Sequence, residues 1–260
     1  LPEARLVNVM DMLEKLRTVK SDEEIEMLEK AAHLGDLMLD ACAQTARPGV
    51  REAEVYARMM EVMLANGGEE PTLFLWASDA LPLPHPFRLP TMRPLEQGDL
   101  IICEMHPKYG GYYTHLERTF SLGEPRKEYL KIYEGCLKTF QRIAELCLPG
   151  NAVTEVMEEA AKVISANGLG ICEAGIHGHG LSSLEYPRFR LHALETDRKA
   201  VGSLGAELKP GMVFAVNIDL VDPKWMNGNT GCVFAETIVV TETGSRWLHS
   251  YPHELKIINT

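Results

Sequence analysis

Hydrophobic and polar positions near the start of the chain follow a helical period. Apolar residues from Ile25 to Leu39 recur mostly at three- and four-residue spacing. Ser21 and Glu24 stand just before them in the capping-box pattern of a helix start, and Arg47-Pro48-Gly49 is typical of a helix end. The same reasoning predicts the end of a linker helix over 6–16 and amphipathic helices over 52–65, 128–146 and 153–166.

Shorter apolar runs bounded by glycine, proline and asparagine predict β-strands. The run 99–103 and the segment 113–120 flank a glycine-containing turn at 108–112, which predicts a hairpin. Further strands are predicted over 212–220 and 232–241, and an irregular proline-rich stretch over 78–94.

Two short motifs occur twice, in the same order. Arg47-Pro48-Gly49-Val50 is echoed by Leu148-Pro149-Gly150-Asn151, and Glu96-Gln97-Gly98-Asp99 is echoed by Lys209-Pro210-Gly211-Met212. Each copy has its glycine at the same place, where a turn is expected. Two similar helix-helix-strand halves predict a pseudo-twofold α+β domain with a pocket where the halves meet.

Composition narrows the classes of function. The chain has 260 residues, of which 45% are hydrophobic and 24% charged, as in ordinary globular proteins. Its net charge of −11 argues against a nucleic-acid partner, because phosphate binding needs clustered Lys and Arg. No apolar run approaches the roughly 20 residues of a membrane span, and the first residues lack a signal-peptide pattern. The six cysteines form no C-x-x-C pair, which favours reduced thiols in a cytoplasmic protein.

Six motifs lie along the whole chain in a characteristic order. They are 16–25 (LRTVKSDEEI), 93–99 (RPLEQGD), 118–120 (RTF), 178–180 (GHG), 208–214 (LKPGMVF) and 236–244 (ETIVVTETG). Together they resemble the pita-bread hydrolases, the family of methionine aminopeptidase, prolidase, Xaa-Pro aminopeptidase and creatinase. The resemblance implies the α+β pita-bread fold and a homodimer. It also implies that residues 1–20 are a linker helix following an absent N-terminal domain, and that 21–260 form the catalytic domain.

The positions that bind metal in this family are altered. The metallopeptidases hold a pair of metal ions with two aspartates, one histidine and two glutamates, and the matching positions here are Glu104, His115, His179, Asn217 and Ala235. Alanine has no donor atom, and neutral asparagine is a poor bridging ligand. The resemblance therefore implies a dismantled metal site, and we expect no cofactor.

Two acidic neighbours of the altered positions are possible substitutes. Alternate residues of a strand share a face, so Asp219 shares the face of Asn217. Glu236 lies on the opposite face from Ala235. Of the two, only Asp219 is therefore placed to substitute for a lost ligand.

The interpretation we favour is a metal-independent hydrolase of a small C–N-bonded or dipeptide-like substrate, similar to creatinase. The resemblance implies His85 as the proton shuttle and Glu117 as the anchor of a cationic group. Creatinase keeps a glutamate where this chain has Asn217, so we expect a different substrate. The predicted catalytic residues are His85, Glu117 and His179, and the predicted substrate-binding residues are Glu104, His115, His177, Tyr186 and Asn217.

Three alternatives stay open. A rebuilt mononuclear site could hold one Zn²⁺, iron or manganese ion with Glu104, His115 and His179, because two histidines and a carboxylate suit such ions. An ordinary Xaa-Pro dipeptidase is the second alternative, and an inactive binding module is the third. Individual residues also have simpler explanations: His179 as a structural histidine, Glu117 as an ion-paired strand residue, and His106 as a loop histidine.

Overall fold

The computed structural model describes residues 3–71, 73–85, 88–191 and 206–259. Within these residues the chain forms five α-helices and eleven β-strands. The helices are α1 (Met10–Thr18), α2 (Asp22–Thr45), α3 (Glu52–Ala65), α4 (Lys127–Leu146) and α5 (Val153–Ala166). The strands are β1 (Phe74–Asp79), β2 (Leu100–Met105), β3 (Lys108–Tyr109), β4 (Tyr112–Tyr113), β5 (Leu116–Leu122), β6 (Gly170–Gly178), β7 (Glu185–Arg190), β8 (Val213–Val221), β9 (Gly231–Val240), β10 (Ser245–Trp247) and β11 (Lys256–Ile258).

The helices follow the sequence patterns closely. At the start of α2 the Ser21 hydroxyl accepts a hydrogen bond from the Glu24 backbone, and the Glu24 carboxylate accepts one from the Ser21 N–H. Helices α3 and α5 have the predicted bounds, whereas α1 begins at Met10 rather than at residue 6. Among the described residues, no helix combines the length and apolar character needed to cross a membrane.

The main sheet has nine strands, and seven of them lie in the order β1-β2-β5-β9-β8-β6-β7. Each neighbouring pair along this path is antiparallel. Strand β10 pairs with β9, and β11 pairs in parallel with β5. One apolar core packs α2 and α3 against β1, β2 and β5, and a second packs α4 and α5 against β6, β8 and β9. The predicted α+β class is confirmed.

The repeated motifs make the same hydrogen bonds in both halves. The Gly49 N–H donates to the Leu95 carbonyl at 2.8 Å, and the Gly150 N–H donates to the Leu208 carbonyl at 2.9 Å. Each leucine N–H returns a bond to the residue after its partner glycine. Gly49 and Gly150 have φ angles of 90° and 93°, a backbone conformation that favours glycine. The pseudo-twofold organisation therefore rests on matching turns.

Several strands escaped the sequence prediction. The irregular stretch predicted from residue 78 is wrong at its start, because Ser78 and Asp79 end β1. The sequence pattern does not predict strand β6, because glycines interrupt it. Those glycines are needed for close pairing, since a Cβ at Gly175 would lie 2.5 Å from the Phe189 carbonyl oxygen of β7.

Candidate functional site

One row of paired residues crosses the middle of the sheet. Glu104 pairs with Glu117, Glu117 with Ala235, and Ala235 with Asn217. Directly paired residues project to the same side of a sheet, so these four side chains share one face. The Ala235 methyl group lies between Glu117 and Asn217, and Asp219 follows on the same face of β8 because it is two residues further along.

His85 reaches this face from the loop after β1. Its Nδ1 lies 2.5 Å from Asp219 Oδ2, and its Nε2 lies 3.9 Å from Glu104 Oε2. An ionised carboxylate can only accept a hydrogen bond, so this contact places a proton on Nδ1. The His85 side chain is 14% exposed and that of Asp219 is 1% exposed, so the pair is largely shielded from water. His85 and Asp219 form a histidine–aspartate dyad.

Burial changes the charge of the carboxyl groups around the dyad. It raises the pKa of Glu104 to about 7 and that of Asp219 to about 6. Burial, reinforced by the nearby Asp219 and Glu104, also raises the pKa of Glu117 well above its usual range. For His85 burial alone would lower the pKa, but the hydrogen bond and charge of Asp219 outweigh it and raise the pKa. A cationic group entering this cluster would favour ionisation of these carboxyl groups, and the resulting carboxylates would stabilise it.

A second cluster consists of four buried histidines. The His106 ring centroid lies 4.4 Å from that of His115 and 5.2 Å from that of His179, and His177 lies 5.2 Å from His179. Burial lowers the pKa of His106 to about 3 and that of His177 to about 4. It also lowers the pKa values of His115 and His179 well below the usual range. All four imidazoles are therefore neutral at physiological pH.

The two clusters meet at His115. Its Nε2 lies 3.5 Å from Glu104 Oε1 and 3.7 Å from Glu117 Oε1. The His115 backbone is fixed from β9, because its N–H donates to the Thr237 hydroxyl and that hydroxyl donates to the His115 carbonyl, both at 2.8 Å. The carboxyl and imidazole groups thus form one continuous buried site.

The site contains residues whose part the sequence did not reveal. His106 lies in the loop after β2, as predicted, but it is only 5% exposed and belongs to the imidazole cluster, a part that the sequence does not indicate. The two-residue spacing from Glu104 was the signal that could have placed it on the same side of β2. Asp219, predicted as a possible substitute metal ligand, contacts His85, and its part as a ligand stays a prediction. No local pattern could have joined two residues 134 positions apart.

Other predicted residues lie further from the dyad. Tyr186 lies on β7, and its backbone N–H donates to the Glu14 carboxylate of α1 at 2.8 Å; its part in substrate binding stays a prediction. Glu236 belongs to a separate buried network, in which it pairs with Arg118 at 2.5 Å and also contacts His249. Glu236 is therefore engaged away from the dyad.

The donor atoms do not suit a carboxylate-bridged pair of metal ions. Such a pair needs oxygen ligands in the middle of the row, where Ala235 presents a methyl group and Asn217 a neutral amide. A single ion is a different case, because three groups bring their ligand atoms within 4.8 Å of one another. These groups are His106, His115 and His179; His85, Glu117 and Asp219; and Glu104, His115 and Glu117.

A surface cavity of about 310 Å³ borders His85. Its lining includes Trp76, Leu81 and Leu83, so its wall near the dyad is partly apolar. This volume is at the lower end of small-molecule sites, which fits a small ligand.

Comparison with known proteins places this geometry in context. Residues 26–242 match the sequence profile of Metallopeptidase family M24. The Xaa-Pro dipeptidase of Pyrococcus furiosus is 30% identical over 250 residues, which are 94% of this chain and 67% of the relative. A creatinase of a Bacillus species is 27% identical over 258 residues, which are 97% of this chain and 62% of the relative.

Solved structures agree with the sequence matches. The dipeptidase PepE of Mycobacterium ulcerans has a TM-score of 0.83 and 26% identity, covering 98% of this chain and 65% of that structure. The prolidase of P. furiosus has a TM-score of 0.80 and 28% identity, covering 93% of this chain and 68% of that structure. This chain thus spans about two thirds of the length of these relatives, and the predicted pita-bread fold is confirmed.

Proposed function

This chain belongs to Metallopeptidase family M24, and from that premise we propose that it hydrolyses a small C–N-bonded substrate without a pair of metal ions. Its relatives include an Xaa-Pro dipeptidase and a creatinase, which supports hydrolysis but does not choose the substrate. The observation that carries the proposal is the dyad, with His85 Nδ1 held 2.5 Å from the Asp219 carboxylate.

The dyad supplies the proton transfers that hydrolysis needs. With Nδ1–H bound to Asp219, His85 Nε2 is the basic nitrogen and accepts a proton from water. The water oxygen then bonds to the substrate carbon. As the C–N bond breaks, the protonated Nε2 returns that proton to the leaving nitrogen. Asp219 stabilises the imidazolium between the two transfers, so water adds across the bond with no net proton change.

The neighbouring side chains favour a cationic or amide-containing substrate. Neither Glu117 oxygen has a hydrogen-bond partner among the described residues, and the side chain is fully buried. Glu104 and Glu117 would accept hydrogen bonds from an N–H-rich group. The neutral imidazoles of His115 and His179 can donate or accept, and would orient the scissile group.

The test is a substrate panel run on chelator-dialysed protein. The panel comprises guanidino compounds, small amides and Xaa-Pro dipeptides, and the variants are His85→Ala and, as a control, the exposed His33→Ala. Loss of a positioned general base lowers rates by about 10²–10⁴-fold. The rate of hydrolysis should therefore fall by this factor in His85→Ala and stay unchanged in His33→Ala. Turnover that is indifferent to His85→Ala would refute the proposal. No turnover of any substrate, together with tight peptide binding, would favour the binding module.

A mononuclear metal hydrolase is the second candidate. It is favoured by the position of His115, 3.5 Å from Glu104 and within one group with His106 and His179. The two candidates differ in their response to chelation. The first predicts that chelated protein keeps its activity, whereas the second predicts loss of activity and its recovery with one added ion per chain.

A further inference from the structure

Three imidazoles from separate segments converge in the interior. His106 follows β2, His115 precedes β5, and His179 follows β6. They are 5%, 1% and 0% exposed, and one ring nitrogen from each lies within 4.8 Å of the others. Buried histidines normally pair with a carbonyl, a carboxylate or a hydroxyl group.

Most of these ring nitrogens have no such partner. Neither nitrogen of His106 or His115 makes a hydrogen bond within the part of the chain that the structure describes, and neither does His179 Nε2. The weak approach of His115 to Glu104, at 3.5 Å, involves one nitrogen only. The cluster therefore offers lone pairs that folding leaves unused.

Hydrogen bonds from outside the cluster fix the ring of His179 and the backbone of His106 and His115. The His179 Nδ1–H donates to the Tyr113 carbonyl at 3.1 Å, which assigns the lone pair to Nε2. The His106 backbone N–H donates to the Leu73 carbonyl at 3.0 Å, and β9 clamps the His115 backbone through Thr237. Histidines that bind metal ions usually donate a hydrogen bond from their second ring nitrogen to a carbonyl or carboxylate, which fixes the ring.

The surroundings suit a cation. Three neutral imidazoles carry no charge of their own, and Glu104 and Glu117 border His115. Imidazole nitrogens favour transition metals over Mg²⁺ or Ca²⁺, which prefer oxygen ligands. Nitrogen ligands about 2.1 Å from a tetrahedral ion lie about 3.4 Å apart, so the observed spacing needs only small ring movements.

We propose that His106, His115 and His179 bind one divalent transition-metal ion, with Zn²⁺ as the best fit. Three histidines are a known ligand set for zinc with an open fourth position. This set differs from a carboxylate-bridged pair, because all its donors are neutral nitrogens and His106 lies outside the positions matched to the family's ligands. This ion site goes beyond the proposed function, because the proton transfers by His85 and Asp219 do not require the ion.

The test is metal content and affinity, measured without reference to activity. Protein purified without a histidine tag is stripped with chelator, loaded with Zn²⁺ or Co²⁺, dialysed, and analysed by elemental mass spectrometry and visible absorption. We expect about one ion per chain and a Co²⁺ spectrum typical of nitrogen ligands. The variants are His106→Ala, Glu104→Gln and the exposed control His33→Ala.

The variants separate this site from its neighbours. Loss of a supporting partner alone weakens metal sites by about 10–100-fold, so loss of the ligand in His106→Ala should weaken Zn²⁺ binding at least a hundredfold. Glu104→Gln and His33→Ala should keep the ion. If His106→Ala unfolds, His106→Gln repeats the measurement with a side chain of similar size.

Three results would overturn the inference. They are no ion after loading, two ions per chain, or an ion that survives His106→Ala but is lost in Glu104→Gln. The last result would move the site to the carboxylate side of His115. Whether chelated protein still hydrolyses its substrate is a separate measurement, so the dyad and the ion site can fail independently.

Discussion

The substitution Asp219→Asn tests the dyad with the smallest change of shape. The amide keeps the volume of the carboxyl group but removes its negative charge from His85. The charge and hydrogen bond of Asp219 raise the pKa of His85 against the effect of burial, so the variant should lower that pKa. A long-range ¹H–¹⁵N NMR titration of the histidine rings measures this without any substrate.

The energy at stake follows from the contact. A hydrogen bond to a charged group contributes about 1.5–3 kcal/mol, and a neutral one about 0.5–1.5 kcal/mol. The variant should therefore lose about 1–1.5 kcal/mol of imidazolium stabilisation, which corresponds to a five- to tenfold lower rate wherever that imidazolium forms. His85 can accept a proton only when its imidazole is neutral. Because the variant lowers the pKa of His85, the acid limb of the pH–rate profile should move to lower pH.

Asp222→Asn is the matched control. Asp222 lies just after the same strand, but its carboxylate accepts a hydrogen bond from Lys131 at 2.6 Å. It should leave the His85 titration unchanged. If Asp219→Asn also leaves that titration and the acid limb unchanged, the reasoning about the dyad is wrong.

Three further substitutions test other parts of the structure through urea denaturation. Burial raises the pKa of Glu104 from 4.5 to about 7, so the stability of the wild type falls as pH rises through this range. Glu104→Gln should therefore be more stable than the wild type by on the order of 2–3 kcal/mol at pH 8 and by little at pH 4. A less stable variant at pH 8 would contradict this. Burial lowers the pKa of His106 from 6.5 to about 3, so its contribution is present above 6.5 and lost as pH falls. With chelator present, the free energy of unfolding should therefore fall by about 2 kcal/mol less in His106→Asn than in the wild type between pH 6.5 and about 5. An equal fall in both proteins would count against this. Ser21→Ala removes a formed capping box and should cost about 1 kcal/mol at any pH, whereas an unchanged midpoint would show that the cap contributes nothing.

Local features of this fold, such as helix caps and helix ends, can be predicted from the sequence. The Ser21 cap and the ends of α3 and α5 depend on residues a few positions apart, so their patterns were sufficient. The repeated turns at Gly49 and Gly150 were visible for the same reason. The candidate site was only partly readable. The resemblance points to His85 as one member, but its partner Asp219 lies 134 residues away, and no local pattern joins the two.

Strands whose apolar pattern is interrupted are harder to predict from the sequence. Strand β1 runs into a proline-rich stretch, and β6 contains glycines that its close approach to β7 requires. His106 lies in the loop after β2, as its sequence context predicts, but its burial among histidines from other segments follows from no local pattern. Which buried nitrogens lack partners depends on side chains from several strands, and no linear pattern records that.

The most direct measurement is hydrolysis by protein whose metal content is counted in the same sample. The panel substrate that turns over fastest is assayed with chelator-dialysed wild type and with His85→Ala. We predict continued turnover with no pair of metal ions bound and a loss of about 10²–10⁴-fold in the variant. Activity that appears only with two ions per chain, and that His85→Ala leaves intact, would contradict hydrolysis by the His85–Asp219 dyad.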